Sequence, residues 1–315
     1  MFNCKLSLNY LIVSHQYIHK SAEKQKENQM AELYNQEIFK DDHIVVTGGG
    51  TGLGRAMAMR FASLGARVTI CGRREEPLAE TAKEITDGGG RAEGISCNLK
   101  EYEAVETMIA EAESRQGNVT KLVNNAAGNF LAPTEQLTPN GFDAIVKTNL
   151  YGSFYATQAC GRRWIERKHA GSVMSIVTTY AETGSAFLIP SAVSKAGIVT
   201  LMKSLAAEWG VYGIRLNAIA PGPFPTEGAN SRLMPDERLA EKMYRLIPLQ
   251  RVGEHHELTD IAVFLLSDLS SYLTGEVIYL DGGASLTSAG QFNLFTELPR
   301  ERVMQMFEML RPPKR

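Results

Sequence analysis

From His43 onward the chain alternates short apolar runs with longer segments whose apolar positions recur at helical spacing. The short runs are "HIVVTG", "ARVTICG", "AEGISCN", "KLVNNAA", "SVMSIVTT", "RLNAIAPG" and "EVIYLDGG", each read as a strand. Between them lie stretches such as "LGRAMAMRFASLG" and "AVSKAGIVTLMKSLAAEWG", read as helices, with Gly210 expected to cap the second. Strands alternating with helices predict an α/β fold, a parallel sheet with helices on both faces. Right-handed crossovers make it a doubly wound, Rossmann-type sheet of about seven strands in a single domain.

The first ~39 residues depart from this pattern. "KSAEKQKENQM" is polar and charged, "LSLNYLIVS" is too short and too weakly flanked for a signal peptide, and no Arg precedes Arg55, which argues against a transit peptide. The expectation is a poorly ordered extension over 1–39, or a start assigned upstream of Met30, before a domain spanning 40–315. That domain carries its own extension after residue 283.

With 44% hydrophobic and 22% charged residues among 315, the chain has the composition of an ordinary globule able to bury a sizeable core. A net charge of -2 supplies no argument for nucleic acid or an anionic membrane as partner. No stretch approaches the ~18–20 apolar residues of a membrane span. Cys4, Cys71, Cys97 and Cys160 lack metal-type spacing and point to a reducing compartment. The expected place is the bacterial cytoplasm, or the mitochondrial matrix in a eukaryote. The six histidines fall outside every motif, and adjacent His255 and His256 cannot share a helix face, so no metal site is expected.

Candidate chemistry begins at "VVTGGGTGLGRAMA". A strand, then Gly48, Gly49, Gly50, Thr51, Gly52, Leu53 and Gly54, then a helix is what a dinucleotide site needs. The glycines let the backbone approach a pyrophosphate, and the helix start offers N–H donors. After the second strand, "CGRREE" puts Arg73 and Arg74 where an NAD enzyme carries a carboxylate, which favours the 2'-phosphate of NADP(H). The alternative is a solvated pair of arginines neutralised by Glu75 and Glu76.

Together with "NNAAG" at 124–128 and "PGPFPT" at 221–226, these residues make the chain resemble the short-chain dehydrogenase/reductase superfamily from about residue 40 to "DGG" at 281–283. The resemblance adds Asn98, Leu99, Asn125, Ala126, Lys195, Pro221, Gly222, Pro223, Phe224 and Thr226 to the cofactor site. Asn98 stands where the superfamily commonly has Asp beside the adenine. Asn149 falls at the usual helix kink.

In ordinary members a Tyr precedes the active-site Lys by four residues on one helix, and its phenol protonates a carbonyl substrate. Here "PSAVSKAG" has Ser191 in that place, with Lys195 retained, and Tyr180 lies upstream in "TTYAETGS" at the end of the fifth strand. With "NNAAGNF", "PGPFPTEGA" and the tail "SAGQFN", this arrangement is similar to one branch, the 2,4-dienoyl-CoA reductases of the mitochondrial type. That resemblance implies NADPH-dependent reduction of a dienoyl thioester to an enoyl-CoA in unsaturated fatty acid β-oxidation. Tyr180 and Asn129 would stabilise an extended enolate, Lys195 would hold the nicotinamide ribose, and Ser191 with Lys195 would position a water.

Lys100, Asn129, Phe130, Thr138 and Arg232 would line the acyl-CoA path, Arg232 lying in the lid-like loop "TEGANSRLMPDERLAEK". Helices around 140–165 and 190–210 would form a homotetramer. Two alternatives remain open at this level: a trans-2-enoyl-CoA or other activated-alkene reductase, and a catalytically degenerate nicotinamide-binding sensor or scaffold.

Overall fold

In the computed structural model, which describes residues 36–226, 242, 244–287, 293, 295 and 298–309, each of the seven apolar runs forms a strand. They are β1 (His43–Thr47), β2 (Arg67–Gly72), β3 (Arg91–Ser96), β4 (Lys121–Asn124), β5 (Gly171–Ile176), β6 (Ile214–Pro221) and β7 (Val277–Leu280). All pair in parallel in the order β3-β2-β1-β4-β5-β6-β7. The connections are α1 (Gly52–Ser63), α2 (Glu75–Asp87), α3 (Tyr102–Gln116), α4 (Pro139–Val146), α5 (Gly152–Glu166), the single turn α6 (Tyr180–Thr183), α7 (Ile189–Trp209) and α8 (His255–Leu266).

Both faces of the central strands are apolar because helices cover both. One core cluster joins Val45, Leu122 and Val173 to Ile109, Trp164 and Ile198, while the other joins Ile44, Val46 and Met174 to Met57, Phe61 and Leu258. The register Val46↔Val123 and Val123↔Met174 lines up the carboxyl ends of β1, β4 and β5. The chain departs from β1 toward β2 on one side and β4 on the other, so the sheet has its switch point there, where doubly wound sheets take their ligands.

Two local differences from the sequence reading have physical causes. The packed domain reaches back past residue 40, since Phe39 is fully buried edge-to-face on Phe61 at 5.7 Å between ring centroids. Burying such a ring stabilises by about 1.5–3 kcal/mol, enough to hold a short segment against the domain. Gly210 is the C-cap residue of α7, as expected, but its backbone stays right-handed and enters a 3-10 turn, and the left-handed stop is Gly213 at φ 73°. The residue that must reverse the chain's handedness is the one that needs to be glycine.

Candidate active site

The chain leaves β1 through Gly48 (φ 66°) and enters α1 at Gly52. A Cβ on Gly54 would collide with the Gly48 carbonyl oxygen and the Asn125 amide, so the helix start packs on the turn with no side chain between them. Thr51, the N-cap, makes no side-chain cap. Donors at the start of α1 are thereby left for an anion or water.

Thr47 ties this turn to the loop after β4. Its hydroxyl oxygen accepts from the backbone N–H groups of Asn125 and Ala126, both at 3.0 Å, and the Asn125 amide donates to the Thr47 and Gly48 carbonyls at 3.0 and 3.2 Å. Across the turn, the Thr226 methyl lies 3.4 Å from where a Gly52 Cβ would stand. Among the described residues, the buried Asn124 Oδ1 at the end of β4 and Thr178 Oγ1 just beyond β5 have no hydrogen-bond partner. A glycine cradle at the switch point, with unpaired buried polar atoms at its strand ends, fits a dinucleotide.

The other expected cofactor residues surround this cradle. Arg73 and Arg74 follow β2, exposed, and neither makes an ion pair with a described carboxylate, while Glu75 and Glu76 occupy the first turn of α2 where the helix field favours them. Asn98 is exposed and accepts from the Lys100 N–H at 3.4 Å; Leu99 is buried against Gly152. Pro221 ends β6, Gly222 packs on Asp281, and Pro223 accepts from the Gly253 N–H at 3.0 Å beside the buried Phe224 ring.

Tyr180 opens α6, four residues beyond the end of β5, with its hydroxyl 3.3 Å from Ser191 Oγ in the first turn of α7. The Asn129 amide donates to the same hydroxyl at 3.4 Å. Gly128, the residue before Asn129, is held by Asn149, which is fully buried in a π-helical turn spanning Lys147–Tyr151. The Asn149 side chain accepts from the Gly128 N–H at 2.8 Å and donates to the Gly128 carbonyl at 3.1 Å. A wider turn is what lets a buried amide face a loop backbone instead of its own helix.

Lys195, one turn beyond Ser191, is buried and donates to the Ile176 carbonyl at 2.5 Å. Burial lowers its pKa from the usual lysine range to about 8.

The structure thus unites Tyr180, Asn129 and Ser191, with Lys195 one turn deeper. The expected substrate residues are more dispersed. Phe130 is exposed and approaches Gly141, while the Thr138 hydroxyl caps α4 by accepting from the Gly141 N–H at 3.1 Å. Lys100 is partly buried in the loop after β3, and Arg232 lies outside the described residues. Thr47, Thr178 and the Ile176 carbonyl escaped the sequence reading. Thr178 had a visible signal, a hydroxyl two residues before Tyr180 at the strand exit, whereas a backbone carbonyl has none.

Residues 48–285 match a family model described as Enoyl-(Acyl carrier protein) reductase. A probable 2,4-dienoyl-CoA reductase [(2E)-enoyl-CoA-producing] of Bacillus subtilis is 42% identical over 241 residues, covering 76% of this chain and 95% of that protein. A probable 2,4-dienoyl-CoA reductase 3 [(3E)-enoyl-CoA-producing] of Caenorhabditis elegans is 45% identical over 260 residues, covering 80% and 84%. Among solved structures, a short chain dehydrogenase from Bacillus anthracis is similar at TM-score 0.73 and 37% identity, covering 80% of this chain and 99% of that one. A gluconate 5-dehydrogenase from Burkholderia cenocepacia, in complex with NADP and tartrate, is similar at TM-score 0.75 and 33% identity, covering 81% and 99%.

Proposed function

The chain belongs to the short-chain dehydrogenase/reductase family, a family of nicotinamide-dependent oxidoreductases, and from that premise we propose that it reduces 2,4-dienoyl-CoA thioesters to enoyl-CoA with NADPH. The observation that carries this reading is the position of Tyr180: on the strand exit, within 3.4 Å of Asn129, while a serine fills the helix position one turn before Lys195. The names of the relatives from Bacillus subtilis and Caenorhabditis elegans support the same reaction.

The chemistry explains why the acid can stand there. When bound, the nicotinamide supplies a hydride to the conjugated system. With addition at the δ carbon, negative charge develops on the thioester oxygen, five bonds away. What the protein must supply is a pair of fixed donors for that oxygen. The Tyr180 hydroxyl and the Asn129 amide are two such donors, and their mutual contact at 3.4 Å is long enough to be exchanged for a substrate oxygen. The Ser191 hydroxyl, 3.3 Å from Tyr180, orients the phenol and holds a water for carbon protonation. Protonation at the α carbon leaves a 3-enoyl product and at the γ carbon a 2-enoyl product, so NMR of the product assigns which.

In this reading Lys195 grips the nicotinamide ribose, and its ammonium is needed for that. With its pKa lowered to about 8 by burial, the charged form is lost as pH rises through that value. kcat/KM for NADPH is therefore expected to be flat at neutral pH and to fall with a slope of one proton above about pH 8. A profile flat to pH 10 would remove Lys195 charge from cofactor capture.

NADPH preference rests on Arg73 and Arg74. Arg73→Ala is expected to raise the NADPH KM by roughly 10- to 100-fold, the loss of a charge-assisted bond, while the NADH KM stays close to that of the parent. Equal loss for both cofactors would assign the arginines to solvent instead.

The reaction itself is tested by NADPH oxidation at 340 nm with a dienoyl-CoA and the matching monoenoyl-CoA. Turnover of the dienoyl ester alone supports the proposal. Faster turnover of the monoenoyl ester makes the protein an enoyl-CoA reductase, and turnover of neither makes it a nicotinamide-binding protein without this activity.

A further inference from the structure

Phe187, between α6 and α7, combines two unfavourable features. Its backbone is left-handed at φ 64°, a conformation strained for any residue with a Cβ and rare for an aromatic one, and its side chain is 57% exposed. Strain of this kind persists where a side chain has a use, yet this ring gains little burial from the described residues.

Its neighbours share that exposure. The Phe187 carbonyl accepts from the Ala132 N–H at 3.0 Å, so the loop leaving β4 through Asn129 runs beside the loop leaving α6. On these two loops and the adjoining start of α7, Phe130 is 37%, Leu131 44% and Ile189 36% exposed. Phe130 and Leu131 directly follow Asn129, and Ile189 precedes Ser191 by two residues. Four large apolar side chains therefore border the Tyr180–Asn129–Ser191 cluster on the strand-exit side of the sheet.

We propose that this border is a seat for the distal, saturated part of the acyl chain, that Phe187 is its principal specificity-determining residue, and that the protein favours dienoyl thioesters of medium or greater length over short ones. The inference rests on the reaction proposed above. An apolar chain fits the seat chemically, and its continuity with the residues assigned to the thioester oxygen is what selects an acyl chain over other apolar occupants.

The test compares kcat/KM for 2,4-decadienoyl-CoA with that for 2,4-hexadienoyl-CoA, since the ratio cancels any loss of active protein. Full burial of a methylene corresponds to roughly four-fold in kcat/KM and half burial to about two-fold, so four methylenes are expected to give about 16-fold in the parent. In Phe187→Gly the ratio is expected to fall below about four-fold, with Tm unchanged or raised because glycine relieves the left-handed backbone. Leu131→Ser is expected to reduce the ratio in the same direction. Val211→Ser, an exposed apolar position in the 3-10 turn that follows α7, is expected to keep the parent ratio.

A parent ratio near one, with hexadienoyl-CoA turned over well, overturns the seat while leaving the reaction intact. An unchanged ratio in Phe187→Gly, a fall in its Tm by several degrees, or its dissociation from an oligomer on gel filtration with the ratio intact would each assign the ring elsewhere. A parent that reduces neither ester overturns the reaction and this inference together.

Discussion

Tyr180→Phe is expected to lower kcat with a dienoyl-CoA by roughly 10²–10³, the effect of removing one fixed donor from a developing oxyanion. The substitution keeps the ring, so the α6 turn and its packing beside α7 are preserved, and only the hydroxyl contacts to Ser191 at 3.3 Å and Asn129 at 3.4 Å are lost. NADPH binding should change little, since the Lys195 ammonium donates to the Ile176 carbonyl and not to the phenol. Ser191→Ala is expected to be milder, because it removes an orienting group while both oxygen donors remain. Ser191→Tyr should not rescue Tyr180→Phe: position 191 is 2% exposed, and a phenol built there would have to displace its neighbours. Steady-state kinetics of variants with verified Tm decide the matter, and near-parental turnover by Tyr180→Phe would reduce the tyrosine to a packing residue.

Gly54→Ala is expected to abolish useful NADPH binding and to lower Tm by several degrees. One methyl group is a small addition, but the ideal Cβ position collides with the Gly48 carbonyl oxygen and with the Asn125 amide, neither of which can move alone. Gly48 ends the hydrogen-bonded exit of β1, where its N–H donates to the Cys71 carbonyl at 2.7 Å, and the Asn125 amide is tied to Thr47 and Gly48. Overpacking of this kind costs about 1–3 kcal/mol. Moving the start of α1 away from the turn also misplaces the donors available to a pyrophosphate; losing two charge-assisted bonds weakens binding by roughly 10² or more. Gly210→Ala is the control, being right-handed with nothing within 4 Å of the added Cβ, and should be neutral or slightly stabilising. Fluorescence titration with NADPH and thermal melts separate the two variants, and parental affinity in Gly54→Ala would contradict the cradle.

The seven strands were legible in the apolar runs because a strand covered on both faces has no polar side to disguise it, and their alternation with helices left few topologies open. The cofactor turn was equally plain, since a backbone that must pack on backbone excludes side chains and writes itself as glycine. The absence of the helix tyrosine and the presence of Tyr180 were also visible, as matters of residue type and order.

What the sequence could not decide is which of these groups meet. Tyr180, Asn129 and Ser191 converge from the exits of β5 and β4 and the start of α7, brought together by parallel pairing of strands distant in the chain. The distances among them follow from β4–β5 register, from the π turn that presents Asn149 to Gly128, and from the burial that sends the Lys195 ammonium to the Ile176 carbonyl. The left-handed backbone of Phe187 was likewise invisible, because nothing in an aromatic residue announces positive φ. Periodicity and residue type record local preference, which the sequence states directly; proximity across the sheet is a property of packing, and only the folded chain determines it.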